Sequence, residues 1–176
     1  MTKRGKAAKG GKTAARPPAP PPAPAPKKRR QKPATQVAAL CIDSGLTRVL
    51  LITSRGTGRW IVPKGWPMRG KSLARTALQE AWEEAGVEGV PGRKALGRYA
   101  YDKLREQGFA IPVEVHLFPV VVTALQDTFP EAGQRSRQWF TPQEAAALVA
   151  EDGLRALILG LEAHIAAGLV PGKAAR

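Results

Sequence analysis

The sequence predicts an α/β fold, a mixed β-sheet with helices on both faces, set behind a basic and proline-rich tail. Three observations predict it. Composition changes abruptly near residue 35. Beyond that point, short runs of strand character surround one helix of clear amphipathic period, and further helical segments close the chain. Charge divides at the same place: 11 Lys or Arg and no Asp or Glu precede Gln36, whereas Gln36 to Arg176 holds 17 basic and 14 acidic residues. The net charge of +14 over 176 residues therefore describes mainly the tail, because the remainder is only +3.

Residues 1–34 begin rich in Lys, Gly and Ala, continue as the proline block Pro17 to Pro26, and end in Lys27-Lys28-Arg29-Arg30-Gln31-Lys32. With almost no large apolar side chain, nothing offsets the entropy of ordering them, so a disordered tail with an extended polyproline spacer is expected. Its basic flanks suit non-specific contact with nucleic acid, anionic lipid or an acidic partner by charge alone. The plainer alternative is a solubilising tail without a defined partner.

A folded domain is expected over residues 35–168, with a short C-terminal tail at 169–176. Gln36–Ile42 and Arg48–Ser54 read as strands joined by a turn at Asp43-Ser44-Gly45. Trp60-Ile61-Val62 is a brief strand stopped by Pro63, and Pro63 to Lys71 is a shaped loop punctuated by glycine and proline. Ser72 suits the cap of a helix to Ala85, and Gly86 its left-handed end. Lys94–Lys103 and Pro112–Leu125 look like strands, the second interrupted near Pro119. After a short strand at Gln138–Phe140, Thr141-Pro142 starts a helix to about Ala150, and a last helix spans about Gly153 to Ala167.

Several classes are excluded by composition. Cys41 is the only cysteine, so no internal disulfide or cysteine-rich metal site can form, and its place in an apolar run makes it a core thiol. No apolar stretch approaches the ~20 residues of a membrane span, and no apolar segment follows the basic start as in a secretory signal. A cytoplasmic location is the expectation. His116 and His164 lack a second ligand at metal spacing, so structural roles are expected for both.

On a helical wheel of Leu73 to Ala85, Ala74, Leu78, Ala81, Trp82 and Ala85 form the expected buried stripe. Glu80, Glu83 and Glu84 fall together on another side, at i, i+3 and i+4. Three clustered carboxylates repel one another, and negative charge is disfavoured towards a helix C-terminus. A hard cation, which takes oxygen ligands, resolves that repulsion; a solvated acidic face is the alternative.

The preceding loop makes the pattern more specific. Gly65, five residues, Lys71, seven residues, then Gln79-Glu80-Ala81-Trp82-Glu83-Glu84-Ala85-Gly86-Val87 resembles the Nudix box over a 23-residue frame met without a gap. That box reads Gly, five residues, Glu, seven residues, Arg-Glu, an aliphatic, any residue, Glu-Glu, any residue, Gly, an aliphatic. The resemblance implies a loop–helix–loop metal site in an α/β/α sandwich. It further implies Mg2+ or Mn2+ held by Glu80, Glu83 and Glu84, joined by the Gly65 carbonyl, and hydrolysis of a phosphoanhydride by a metal-activated water. Two positions depart: the family's first glutamate is Lys71 and its arginine is Gln79. In the family those two can pair to brace the loop. Their joint loss leaves no orphan charge, so an altered brace with the metal carboxylates intact is expected.

Arg59-Trp60-Ile61-Val62-Pro63-Lys64-Gly65 and Arg135-Ser136-Arg137-Gln138-Trp139-Phe140 are similar to segments of diphosphoinositol and diadenosine polyphosphate phosphohydrolases. A small-molecule polyphosphate substrate calls for cations around the metal, and Arg59, Lys64, Arg135 and Arg137 are the candidates, with Arg69 and Lys71 behind them. Trp66 is the candidate for stacking a nucleobase, whereas packing is expected of Trp60, Trp82 and Trp139. Glu83 is the first candidate for general base, Glu131 the second and Glu114 a weaker third. The competing readings are a hydrolase of other nucleoside diphosphate derivatives such as ADP-ribose, and a catalytically silent Nudix-fold module that binds RNA.

Overall fold

Val37 to Ile42 have no solvent exposure at all, and their side chains alternate between two separate cores. A strand covered on both faces requires that arrangement. In the computed structural model, which describes residues 32–104 and 108–172, this run is the body of β1 (Ala34–Ile42). Ala38, Leu40 and Ile42 enter one core, and Val37, Ala39 and Cys41 the other.

The remaining elements follow in order: β2 (Val49–Thr53), β3 (Trp60–Ile61), β4 (Lys64–Gly65), α1 (Leu73–Ala85), β5 (Val87–Pro91), β6 (Gly97–Leu104), β7 (Ala110–Leu125), β8 (Arg137–Phe140), α2 (Pro142–Leu148), α3 (Asp152–Leu159) and α4 (Leu161–Ala166). β1 runs parallel to β7, and the other described pairings are antiparallel. α1 covers one face through Ala77, Ala81 and Ala85. On the other face lie Ala145, Ala146, Leu154, Ile158 and Leu161 from α2, α3 and α4. The result is the α/β/α sandwich expected.

Long strands here share one edge between two shorter ones. β7 pairs β6 along Ala110–Leu117 and β5 along Val120–Leu125. β1 likewise pairs β2 at Cys41 and Ile42, and β4 at Val37 and Ala38. The second sharing seats Gly65 beside α1.

Four expectations need correction. β7 is not interrupted at Pro119. The missing N–H falls where the partner changes from β6 to β5, so no ladder bond is lost there. β4 and β5 were not expected, since Gly65, Gly89 and Pro91 have poor strand propensity; pairing to β1 and β7 overrides it. The last helix is two helices divided at Gly160. Leu169 and Val170, expected in a tail, pack on the core of α2 to α4. The expected disordered tail lies, through residue 31, outside the described residues. Among the described residues, no helix is long and apolar enough to cross a membrane.

Candidate active site

Gly65, opposite Val37 on β1, comes so close to α1 that a Cβ there would overlap the Glu80 carboxylate. A larger residue there would have to push the Glu80 carboxylate out of its present place. The loop from Gly65 to α1 is tied down by Met68 N–H, which donates to Thr76 Oγ1 at 3.4 Å. Ser72 Oγ then caps α1 by accepting from Arg75 N–H at 3.3 Å. Gly86, at φ 65°, ends the helix in the left-handed conformation.

The buried stripe of α1 is rotated from the one expected. Ala77, Ala81 and Ala85 are fully buried, while Ala74, Leu78 and Trp82 are half-buried. Alanine at i, i+4 and i+8 lets the helix lie close to the sheet, where Leu and Trp would not fit. Leu78 and Trp82 instead line a groove on the helix flank with Lys71, Arg75 and Gln79.

The close seating aims Glu80 and Glu84 into a different groove of about 920 Å³, shared with Arg59, Lys64, Gly65, Trp66, Glu131 and Arg135. Arg135 organises it. Its Nη2 donates to Glu84 Oε1 at 2.5 Å, its Nε to Glu131 Oε2 at 2.7 Å, and its Nη1 to the Thr53 carbonyl at 3.0 Å. Lys64 N–H donates to Glu84 Oε2 at 3.0 Å, so both oxygens of that carboxylate are engaged. Arg55 adds an ion pair to Glu131 at 3.3 Å.

Burial and the like charges of Glu84, Glu83 and Glu131 push the Glu80 carboxyl up to about 7. Glu84 is also raised, by burial, against the opposing pull of Arg135 and the Lys64 N–H. Burial lowers the Lys64 ammonium, opposed by Glu84 and Glu151. An oxygen-only donor set of crowded, mutually repelling carboxylates fits a hard divalent cation, which would relieve that repulsion. Its side chains do not converge ready-made: among the described residues no three His, Cys, Asp or Glu side chains lie at metal-binding spacing. Arg135 holds Glu84 instead.

Glu83 faces elsewhere. Its Oε1 accepts from Gln79 Nε2 at 2.7 Å, and Gln79 Oε1 accepts from Lys71 Nζ at 2.9 Å. The departures at 71 and 79 thus form a brace of their own. Lysine only donates and a carboxylate only accepts, so the orientation of the Gln79 amide between them is determined.

The groove brings together most, not all, of the residues singled out from sequence. Glu83 does not line it, and touches it only through its carbonyl, which accepts from Glu131 N–H at 3.0 Å. Arg137 is absent from it: its guanidinium donates to the carbonyls of Ala85 at 2.8 Å and Gln126 at 2.6 Å, and to Asp127. It therefore serves the C-terminal end of α1. Glu114 pairs with Arg98 and His116 outside the groove. Trp60 packs edge-on against Phe140 with centroids 5.1 Å apart. Lining residues not foreseen include Tyr101, whose hydroxyl donates to Gln36 Oε1 at 2.7 Å, and Lys103. A glutamine opening an otherwise apolar strand was the available signal for the first; Lys103 carried none.

Comparison with known proteins agrees with this construction. Residues 32–159 match the family model of the NUDIX domain. Nudix hydrolase 21, chloroplastic, of Arabidopsis thaliana is 33% identical over 112 residues, covering 63% of this chain and 54% of that protein. Diphosphoinositol polyphosphate phosphohydrolase 3-alpha of Mus musculus is 32% identical over 114 residues, covering 62% and 65%. The chain thus spans about half to two-thirds of the length of these curated relatives. Among solved structures, a NUDIX hydrolase from Nitrosomonas europaea superposes with a TM-score of 0.56 at 21% identity, over 79% of this chain and 92% of that one. A C. elegans Ap4A hydrolase binary complex gives 0.56 at 16% identity, over 76% and 98%, and likewise shares the fold. With the loop, the glutamate helix and the sandwich all matched by one family model, this chain belongs to the NUDIX domain family.

Proposed function

We propose that the protein is a divalent-metal-dependent Nudix hydrolase that cleaves a phosphoanhydride bond in a polyphosphorylated small molecule. One observation carries the reading: Glu80, Glu84 and Gly65 face the same groove as Lys64, Arg59, Glu131 and Arg135. That places an acidic centre beside a cationic wall, the arrangement a metal–polyphosphate complex needs. Glu80, Glu84 and the Gly65 carbonyl, with Glu83 from the same helix, are the groups that would hold Mg2+ or Mn2+. When bound, the cation supplies a lowered water pKa and charge neutralisation at the anhydride oxygens.

The chain's own residues do the rest. Lys64 and Arg59 bind substrate phosphates. Arg135 orients Glu84 and Glu131 through its guanidinium. Glu131, which lines the groove where Glu83 does not, is the better-placed general base. Diphosphoinositol or dinucleoside polyphosphate compounds are the substrate type proposed.

The test is release of phosphate and nucleotide from a panel of inositol pyrophosphate, diadenosine polyphosphate and ADP-ribose, with Mg2+ or with chelator. Wild type is expected to turn over only with metal, and Glu84→Gln to lose a hundredfold or more, on the order of one lost electrostatic anchor. Turnover indifferent to both metal and Glu84 would sink the reading. Preferred cleavage of ADP-ribose would move the substrate type to nucleoside diphosphate derivatives.

A further inference from the structure

Among the described residues, two aromatic rings line the groove, and each carries a lysine ammonium over one face. Lys103 Nζ stands 5.0 Å from the Trp66 ring centroid, and Lys64 Nζ stands 5.9 Å from that of Tyr101. The Tyr101 ring is further restrained by its hydroxyl bond to the buried Gln36. Trp66 is 39% exposed, an indole open enough to take a planar ligand, yet one of its faces is met by a cation. A nucleobase that stacked on that face of Trp66 would have to displace Lys103. A phosphate group would gain from Lys103 where it stands, because the ring holds the ammonium at the groove wall without neutralising it.

We propose that Lys103, positioned by Trp66, is a specificity-determining substrate ligand that selects for dense phosphate and against a stacked base. The inference rests on the proposed hydrolase reading only in taking this groove as the substrate site. It assigns Trp66 a role opposite to base stacking: the indole presents a cation. It also explains in physical terms why the wall carries Arg59, Lys64 and Lys103 together, a density that a ligand with one diphosphate would leave partly unmatched.

Binding and turnover test it separately. With chelator present, calorimetry on the full chain would compare inositol hexakisphosphate, an anion-dense probe without an aromatic ring, with ADP. Wild type is expected to prefer the first. Lys103→Ala should weaken the hexakisphosphate about tenfold, as for loss of one charged hydrogen bond. The same variant should strengthen ADP by about two- to fivefold, the size of one exposed cation–π contact released. Lys103→Arg should keep the wild-type ranking, and Trp66→Leu should weaken the hexakisphosphate without strengthening ADP. An unchanged ratio in Lys103→Ala, whether both probes weaken equally or neither moves, overturns the inference. Metal-dependent turnover alongside that unchanged ratio would leave the hydrolase reading standing. The shifted ratio without turnover of any substrate would overturn that reading and keep the inference.

Discussion

The two sides of α1 hold their glutamates by different means. On the groove side, Glu84 is gripped by a guanidinium 51 residues away and a backbone N–H 20 residues away, and Arg135 Nη2 and Glu84 both lie nearly out of solvent. On the brace side, Glu83 is held by the amide of Gln79 one turn earlier, itself held by Lys71 near solvent. The first arrangement is ionic, buried and assembled by the fold. The second is bridged by a neutral amide, nearer to solvent and assembled by sequence spacing. Buried charges depend strongly on their partners, whereas exposed contacts contribute little, so the same helix should be fragile on one side and tolerant on the other.

The largest expected effect breaks the groove side. Arg135→Met leaves Glu84 and Glu131 in a low-dielectric site without their shared cation, at a cost of about 3 kcal/mol. Urea denaturation in chelator should show that loss, and Mg2+ should restore part of it by taking over the role of the guanidinium. Equal loss with and without metal would mean that no cation reaches these carboxylates.

Glu80 sharpens the comparison through pH. Its carboxyl, raised from 4.5 to about 7 by burial and by its acidic neighbours, favours folding when protonated. That contribution is complete below pH 4.5 and is lost as pH rises through 7. Metal-free protein should therefore lose stability across this window, and Glu80→Gln should flatten the loss and be the more stable protein at pH 8. At this half-buried position, screening reduces the gain to on the order of 1 kcal/mol. Thermal melts at pH 5, 6, 7 and 8 in chelator would read it; a slope unchanged by Glu80→Gln would place the repulsion elsewhere.

The smallest effect belongs to the brace. Lys71→Glu would set carboxylates on both sides of an amide with one donor end, and Gln79→Arg would restore a donor to each. Either change alone should lower stability by about 0.5 kcal/mol, and the double variant should recover it, giving a coupling that a double-mutant cycle can resolve. Additive losses would show that Lys71 and Gln79 do not act as a pair.

Legibility followed the same division. The caps at Ser72, Gly86 and Thr141 and the glutamate cluster were readable because each depends on residues within a few positions. β5 was not readable, since Gly89 and Pro91 deny it strand character and only β7 supplies the ladder. Arg135 and Arg137, two positions apart in one basic run, looked alike. The fold sends the first into the groove and the second to the end of α1. Trp82 and Ala77 exchanged places for a packing reason: the depth at which α1 lies on the sheet appears in no local pattern.

By itself, then, the sequence determined the family frame, the glutamate helix with its caps, and the apolar run that becomes β1. These rest on short-range sterics, hydrogen bonding and hydrophobic period. Tertiary structure alone decided which glutamates meet the groove, which arginine organises them, and which aromatic rings carry a cation. Those outcomes depend on the edge of β1 being shared by β2 and β4, and on small alanines letting α1 approach it. Contacts between segments far apart in sequence are chosen by shape and burial, which no single stretch of chain encodes.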